Sequence, residues 1–408
     1  MSEELAGVRV DDAVIEEPAG SLGTGALEYD VDALRAAEFP FTARGDTVYL
    51  NTASTGPLPS RTVAAVESWT RRRAEPWRIG DPELFATMAR ARSLVARLVG
   101  ADAAEIALMP NTTHGINLAA RTLPLEAGDV VVSFDREFPA NVYPWMALGS
   151  VGVRFEQIPC VDDLPDEAAL DRALDRPEVR AVAVSWVQFS TGYCVDLARL
   201  GERCRDAGKF LVVDAIQGVG VRPLDLRALH VDLLACGAQK WLLSPWGSGF
   251  LYVRRALIER LEPVTVGWMA VRGSEDFSRL VDYDYTLRDD ARRFEVLTLP
   301  FHDMAGMIAS LELLHELGPD AVTAHVRRLT DRVVDWALGR DDVRLVTPAD
   351  PAKRAGIVCL EPRDAAGASA RLRAAGVIHS LREGAIRLAP HCYNTVDEID
   401  RALAVLTE

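Results

Sequence analysis

FLVVDAIQGVGVRPLDLRALHVDLLACGAQKWLLSPWGSGFLYVR, residues 210–254, reads as strand, turn, strand, lysine, glycine turn and strand. Residues 210–213 form a short apolar run ending on Asp214, the pattern of a buried parallel strand whose carboxyl end opens into a crevice. A second run, 231–236, delivers Lys240, and Gly247 and Gly249 turn the chain into a third, 250–253. An aspartate at one strand end and a lysine after the next can meet at one edge of a sheet. That pair suits pyridoxal phosphate (PLP): the lysine forms an imine with the aldehyde, and the carboxylate keeps the ring nitrogen protonated, making the ring an electron sink. Gln217, three residues after Asp214, stands within reach of the ring hydroxyl. A buried lysine paired with an acid in an ordinary α/β domain would satisfy the same residues.

Working outward, strand and helix signals alternate. Strands are expected at 106–109, 130–134, 155–158 and 179–187, with helices at 60–74, after Asp81-Pro82, at 166–174 and from Asp196 to Ala207. This alternation implies parallel crossovers and a wound sheet with helices on both faces. Asn111 or Thr112 caps a helix at 116–120, and the free amides of such a start attract an anion such as a phosphate. For one such turn in isolation, simple capping is the favoured explanation. Phe138 leaves the strand at 130–134 and is placed either to stack on a ring or to fill core. After Arg254 the pattern changes to an irregular excursion, 261–292, and then to FEVLTLPF, which contains Thr298. Long helices at 304–317 and 319–338 follow, then a C-terminal α+β segment with strands at 343–346, 356–360, 377–380 and 385–388. The expected organisation is a loose acidic arm over 1–28, an N-terminal segment over 29–60, a large domain over 61–300 and a small α+β domain over 301–408.

Composition sets limits. The chain has 408 residues, a formal net charge of −15 and 49% apolar residues. Such a charge argues against nucleic acid or an anionic membrane as partner. No apolar run approaches a transmembrane length, and the acidic N-terminus lacks a signal-peptide core. The six cysteines are scattered without CxxC or metal spacing, so free thiols, a cytoplasmic setting and no metal site are expected.

The motifs VYLNTASTGPLP, NTTHGINLAA, REFPANVYPW, VDAIQGVG, GAQKWLLSPWGSGFLYV, FEVLTLP and IRLAPHCYNTVDEID together resemble the class V aminotransferase family of fold type I PLP-dependent enzymes, which includes cysteine desulfurases, isopenicillin N epimerase and kynureninase. The resemblance runs from Val48 to Leu406. It implies Lys240 as the imine lysine, Asp214 on the ring nitrogen, Gln217 on the ring oxygen, and Phe138 stacked on the ring. Thr112, Thr113 and Gln239 would hold the phosphate, and Thr298 would reach the phosphate of a neighbouring subunit in a homodimer with shared sites. Arg387 would grip the carboxylate of an amino-acid substrate, with Asn51 nearby. The implied chemistry is removal of the Cα proton by Lys240 to a quinonoid, followed by transamination first, or by β-elimination of a cysteine conjugate, epimerisation or kynureninase-like hydrolysis. A non-catalytic protein on the same fold is a further alternative. One departure is clear: desulfurases carry an essential cysteine shortly before the carboxylate arginine, and VIHSLREGAIRLAP is shortened there and has none.

Overall fold

The computed structural model describes residues 28–296 and 298–407, so the arm expected over 1–28 lies outside the described residues except for Glu28. The strands are β1 (Val48–Tyr49), β2 (Ile106–Leu108), β3 (Val130–Phe134), β4 (Arg154–Ile158), β5 (Val179–Ser185), β6 (Phe210–Asp214), β7 (Leu233–Gly237), β8 (Gly249–Val253), β9 (Val343–Leu345), β10 (Val358–Pro362), β11 (Val377–Ile378), β12 (Ser380–Arg382) and β13 (Ala385–Leu388). Seven form one sheet in the order β2-β8-β7-β6-β5-β3-β4. The pairs from β7 through β4 are parallel, and their alanine, valine and leucine side chains are fully buried on both faces, as a sheet covered by helices requires. The fold is α/β with a mostly parallel sheet.

The third strand of the stretch 210–254 departs from the wound pattern. Between β7 and β8 the chain has room for a turn but not for a crossover helix, so β8 returns antiparallel to β7, and β2 pairs antiparallel beyond it. Capping follows the sequence. The side chains of Asp166, Asp196 and Asn111 accept from the backbone amides of Ala169, Arg199 and His114, each satisfying one orphan donor of a helix start. The helix Ser60–Arg73 begins without a side-chain cap: Pro59 holds the cap position, while the Ser60 hydroxyl donates to the Glu38 carbonyl at 3.3 Å.

A second sheet, β12-β13-β10-β9, and the parallel pair β1-β11 complete the structure. The run 377–380, expected as one strand, is two. β11 pairs with β1, while β12 turns to pair with β13, and the break falls at His379, whose Nδ1 bonds the Val377 carbonyl at 3.0 Å. Val48 and Leu50, from the N-terminal region, pack into one apolar cluster with Leu329, Val333, Leu360, Leu388 and Leu403. The excursion is irregular apart from short 3-10 turns at Trp268–Ala270 and Ala291–Phe294. Among the described residues no helix is long and apolar enough to cross a membrane.

Candidate active site

The carboxyl ends of β5, β6 and β7 and the exit of β3 converge on one crevice. Asp214 closes β6, level with Ser185 of β5 and Ala235 of β7. It is 3% exposed and accepts one backbone hydrogen bond, from Ile216 at 3.1 Å. Burial raises its pKa to about 6, opposed by that amide and by the nearby Lys240 charge. A carboxylate so placed wants a cationic N–H partner. Lys240 follows β7, with Nζ 5.6 Å from the centroid of the Phe138 ring. Burial lowers its pKa to about 8, with Asp214 pulling up and Arg387 pushing down.

The lysine is held on several sides. Its carbonyl accepts from Leu243 at 3.1 Å, and Leu243 is a buried non-glycine residue at φ 52°. The N-terminal loop presses against it: Gly56 donates to the Gln239 carbonyl at 2.9 Å, and a Cβ at Gly56 would meet the Lys240 carbonyl oxygen at 2.2 Å. His391 fixes the next residue. Its Nδ1 accepts from the Cys392 amide at 2.7 Å, so the proton sits on Nε2 and donates to the Trp241 carbonyl at 3.0 Å. Burial drives the His391 pKa down to about 4, which keeps the ring neutral. Gln217 is anchored by its own amide: Nε2 donates to the Ala53 carbonyl at 3.0 Å and Oε1 accepts from Trp241 Nε1 at 2.8 Å. One N–H of that amide remains for a ligand.

Across β7 stands the start of the helix Thr112–Thr122. The Thr112 hydroxyl accepts from the Gly237 amide at 2.8 Å, and Thr113 is exposed. A Cβ at Gly237 would meet Gln239 Oε1 at 2.5 Å and Thr112 Oγ1 at 3.2 Å. Gln239, Thr112 and the helix start therefore form a small polar cradle that only glycine leaves open. Cradle, buried carboxylate and depressed lysine together fit a ligand with an anionic head, a protonated ring nitrogen and an electrophilic carbon. Phe138 is 45% exposed and meets Phe189 edge to face at 5.3 Å.

Arg387, on β13, is 2% exposed. Its Nη1 donates to the Phe189 carbonyl at 3.0 Å and its Nη2 to Ser54 Oγ at 2.8 Å, while Nε has no partner. No carboxylate among the described residues pairs with it, and burial lowers its pKa to about 10. Asn51 joins this group through its Oδ1, which accepts from Ser54 at 2.9 Å and Ser380 at 2.7 Å.

Thr298 stands apart from the other expected residues. It is exposed and lies in a groove with Trp69, Leu84 and His302, none of which lines the crevice. Sequence reasoning passed over Ser54, Ser380, His391 and Glu137. Glu137 is buried beside the crevice and accepts from the Ser185 amide and hydroxyl, from Gln188 at 2.8 Å and from Asn141 at 3.3 Å. Burial raises its pKa to about 7, with the Asp214 charge adding to the rise. Its one sequence signal was adjacency to Phe138.

The chain resembles known proteins over most of its length. The family model described as aminotransferase class-V matches residues 48–401. An uncharacterised aminotransferase of Bacillus subtilis, YcbU, is 32% identical, over 77% of this chain and 81% of its own length. The isopenicillin N epimerase of Streptomyces clavuligerus is also 32% identical, over 88% of this chain and 95% of its own. Among solved structures, a C-DES mutant with glycine covalently linked to its PLP cofactor superimposes with a TM-score of 0.82 at 23% identity, covering 92% of this chain and 99% of that one. That likeness, at such identity, speaks to the fold alone.

Proposed function

Because this chain belongs to the aminotransferase class-V family, we propose that it is a PLP-dependent enzyme acting at the Cα of an amino acid, with transamination as its first reaction. The observation that carries the reading is the buried Arg387, a guanidinium held by two neutral acceptors and lacking a carboxylate. A buried arginine without a counter-charge is a site built for one, and its planar fork matches a substrate carboxylate.

When bound, the cofactor supplies an electron sink for the pair left at Cα when a proton departs. Lys240 is the residue to hold its aldehyde carbon, Asp214 its ring nitrogen, the spare N–H of Gln217 its ring oxygen and Phe138 its ring face. Thr112, Thr113 and Gln239 are the residues to hold its phosphate. Arg387 fixes the substrate carboxylate, with Asn51 and Ser54 orienting the guanidinium. With the carboxylate fixed, Cα is presented to the Lys240 amine. The depressed proton affinity of Lys240 leaves a useful fraction of neutral amine near neutral pH, able to take a proton and give it back. Phe138 and Phe189 carry no proton to exchange, which favours one base on one face over a two-base epimerisation. A persulfide-forming desulfurase is disfavoured: β12 and β13 join through Glu383 and Gly384 alone, and Cys359 and Cys392 are fully buried.

The functional unit in this reading is a homodimer with shared sites. Thr298 lies away from its own crevice, and Trp246, Val281, Tyr283 and Tyr285 are 71%, 79%, 90% and 69% exposed, an apolar display typical of a surface that another subunit covers. Sedimentation should give twice the chain mass.

The deciding experiment loads the purified protein with PLP and offers amino acids and cysteine S-conjugates. A 2-oxo acid formed from the intact carbon skeleton supports transamination. Pyruvate with ammonia and free thiol means β-elimination, and solvent deuterium at Cα with inversion means epimerisation. Failure of the protein to take up PLP refutes the whole reading.

A further inference from the structure

The hairpin that carries Arg387 carries a second guanidinium. Ser380 pairs with Arg387 across β12 and β13, and Arg382 pairs with Ala385. The two residues between, Glu383 and Gly384, have φ of 47° and 83°, the backbone of a tight two-residue turn. Residues two apart on a strand share a face, so Ser380, Arg382, Ala385 and Arg387 stand on one side of the hairpin. That side faces the crevice: Ser380 donates to Asn51, and Ser54 bonds both Ser380 and Arg387. The charge of Arg382 is felt by Lys240 and by Arg387, weakening the hold of each on its proton.

Arg382 is exposed, and its hydrogen bond goes to the Leu381 carbonyl at 3.3 Å. Among the described residues no carboxylate forms an ion pair with it. Of the acids around it, Asp214 is buried at the base of the crevice, Glu137 accepts from Ser185, Gln188 and Asn141, and Glu383, exposed in the turn, forms no ion pair with it. The crevice mouth is thus cationic in a chain of net charge −15. The cross-strand partner of Arg382 is only a methyl group, at Ala385, which leaves the long side chain room to swing. Diagonal neighbours across an antiparallel pair lie about 7–8 Å apart, which suits two guanidiniums reading two ends of one small molecule.

We propose that Arg382 is a specificity-determining residue that binds a second carboxylate, at the end of the substrate's side chain, while Arg387 binds the α-carboxylate. The substrate class is a dicarboxylic amino acid. This deepens the proposed function and rests on it.

The test uses the PLP-loaded protein. Calorimetry compares glutarate with glutaramate, which lack an amine and do not react, and the cofactor's absorbance reports binding of glutamate against glutamine. The wild-type chain should prefer acid to amide by about tenfold or more, as a hydrogen bond to a charged group supplies. In Arg382→Gln that ratio should fall towards one, and Arg382→Lys should restore part of it. Added salt should erode the wild-type preference, because the group is exposed. Equal binding of acid and amide by the wild type, or a preference that survives in Arg382→Gln, overturns the proposal. Such a result in a protein that takes up PLP and binds amino acids leaves the proposed function standing, whereas absence of PLP uptake overturns both.

Discussion

Replacing Arg387 by methionine should separate stability from binding. The guanidinium is buried against two neutral oxygens, and its proton affinity falls from the ordinary arginine value to about 10, which at ~1.4 kcal/mol per unit corresponds to a cost of about 3 kcal/mol. The sign follows from linkage. The folded value lies below the unfolded one, so the cost is fully present below about pH 10 and lifts only as pH rises from there towards the unfolded value. At neutral pH the wild-type protein therefore carries all of it. Methionine removes the charge and keeps most of the volume. It strands the Phe189 carbonyl, for about 1–3 kcal/mol, but hardly the Ser54 hydroxyl, which keeps Asn51 and Ser380. The net expectation for the ligand-free protein is a variant equal to the wild type or more stable by about 2 kcal/mol. Binding should move the other way. A saturating carboxylate substrate, at a hundred times its Kd, should stabilise the wild type by about 2.7 kcal/mol and the variant by nothing measurable. Urea denaturation with and without the amino acid reads both numbers. A variant that loses 2 kcal/mol or more without ligand, or that keeps the ligand-induced gain, refutes the reasoning.

Two further outcomes follow from the same electrostatics. The Lys240 pKa near 8 leaves about one-eleventh of the amine neutral at about pH 7 and ten-elevenths at about pH 9, so the rate of PLP uptake should rise about tenfold across that interval and then level; a rate still climbing beyond about pH 10, where an unperturbed lysine titrates, contradicts the burial argument. Glu137 has its pKa raised from 4.5 to about 7, so the folded chain holds that proton more tightly and stability is lost as pH rises through this window. Glu137→Gln should match the wild type at about pH 5 and exceed it by about 1–3 kcal/mol at about pH 8 in PLP-free denaturation curves, with a residual slope of the same sign from Asp214; identical curves for the two proteins exclude the buried charge as the cause.

Much of the sheet was legible because buried parallel strands are short apolar runs with polar stops. Residues 130–134 and 385–388 were delimited as found, and Asp214 fell at a strand end as read. The caps were legible because Asn and Asp solve a purely local problem. Residues whose partners lie far along the chain were not. Ser54 earns its place by meeting Arg387, 333 positions away, and His391 by reaching Trp241, 150 positions away; nothing in either's own neighbourhood announces it. The antiparallel return of β8 was missed because apolar runs look alike in either direction, and only the shortness of the link decides. Arg387 itself reads as a surface residue without the family motifs, since its burial is imposed by the Phe189 segment folding over it.

The pairing of β1 with β11 has a consequence for how the protein is made. Val48 donates to the Gly376 carbonyl and Leu50 to the Ile378 carbonyl, each at 2.9 Å, so the loop bearing Asn51, Ser54 and Gly56 is stitched to residues synthesised long after it. A ribosome must extrude the chain as far as Ile378 before that stitch can form. A nascent or prematurely terminated product would hold β6 and β7 with Lys240 already in place, yet have no lid over the lysine and no arginine to receive an amino acid. Assembly between such long-separated segments is slow, and it makes the reactive amine the first part of the centre to form and the last to be enclosed.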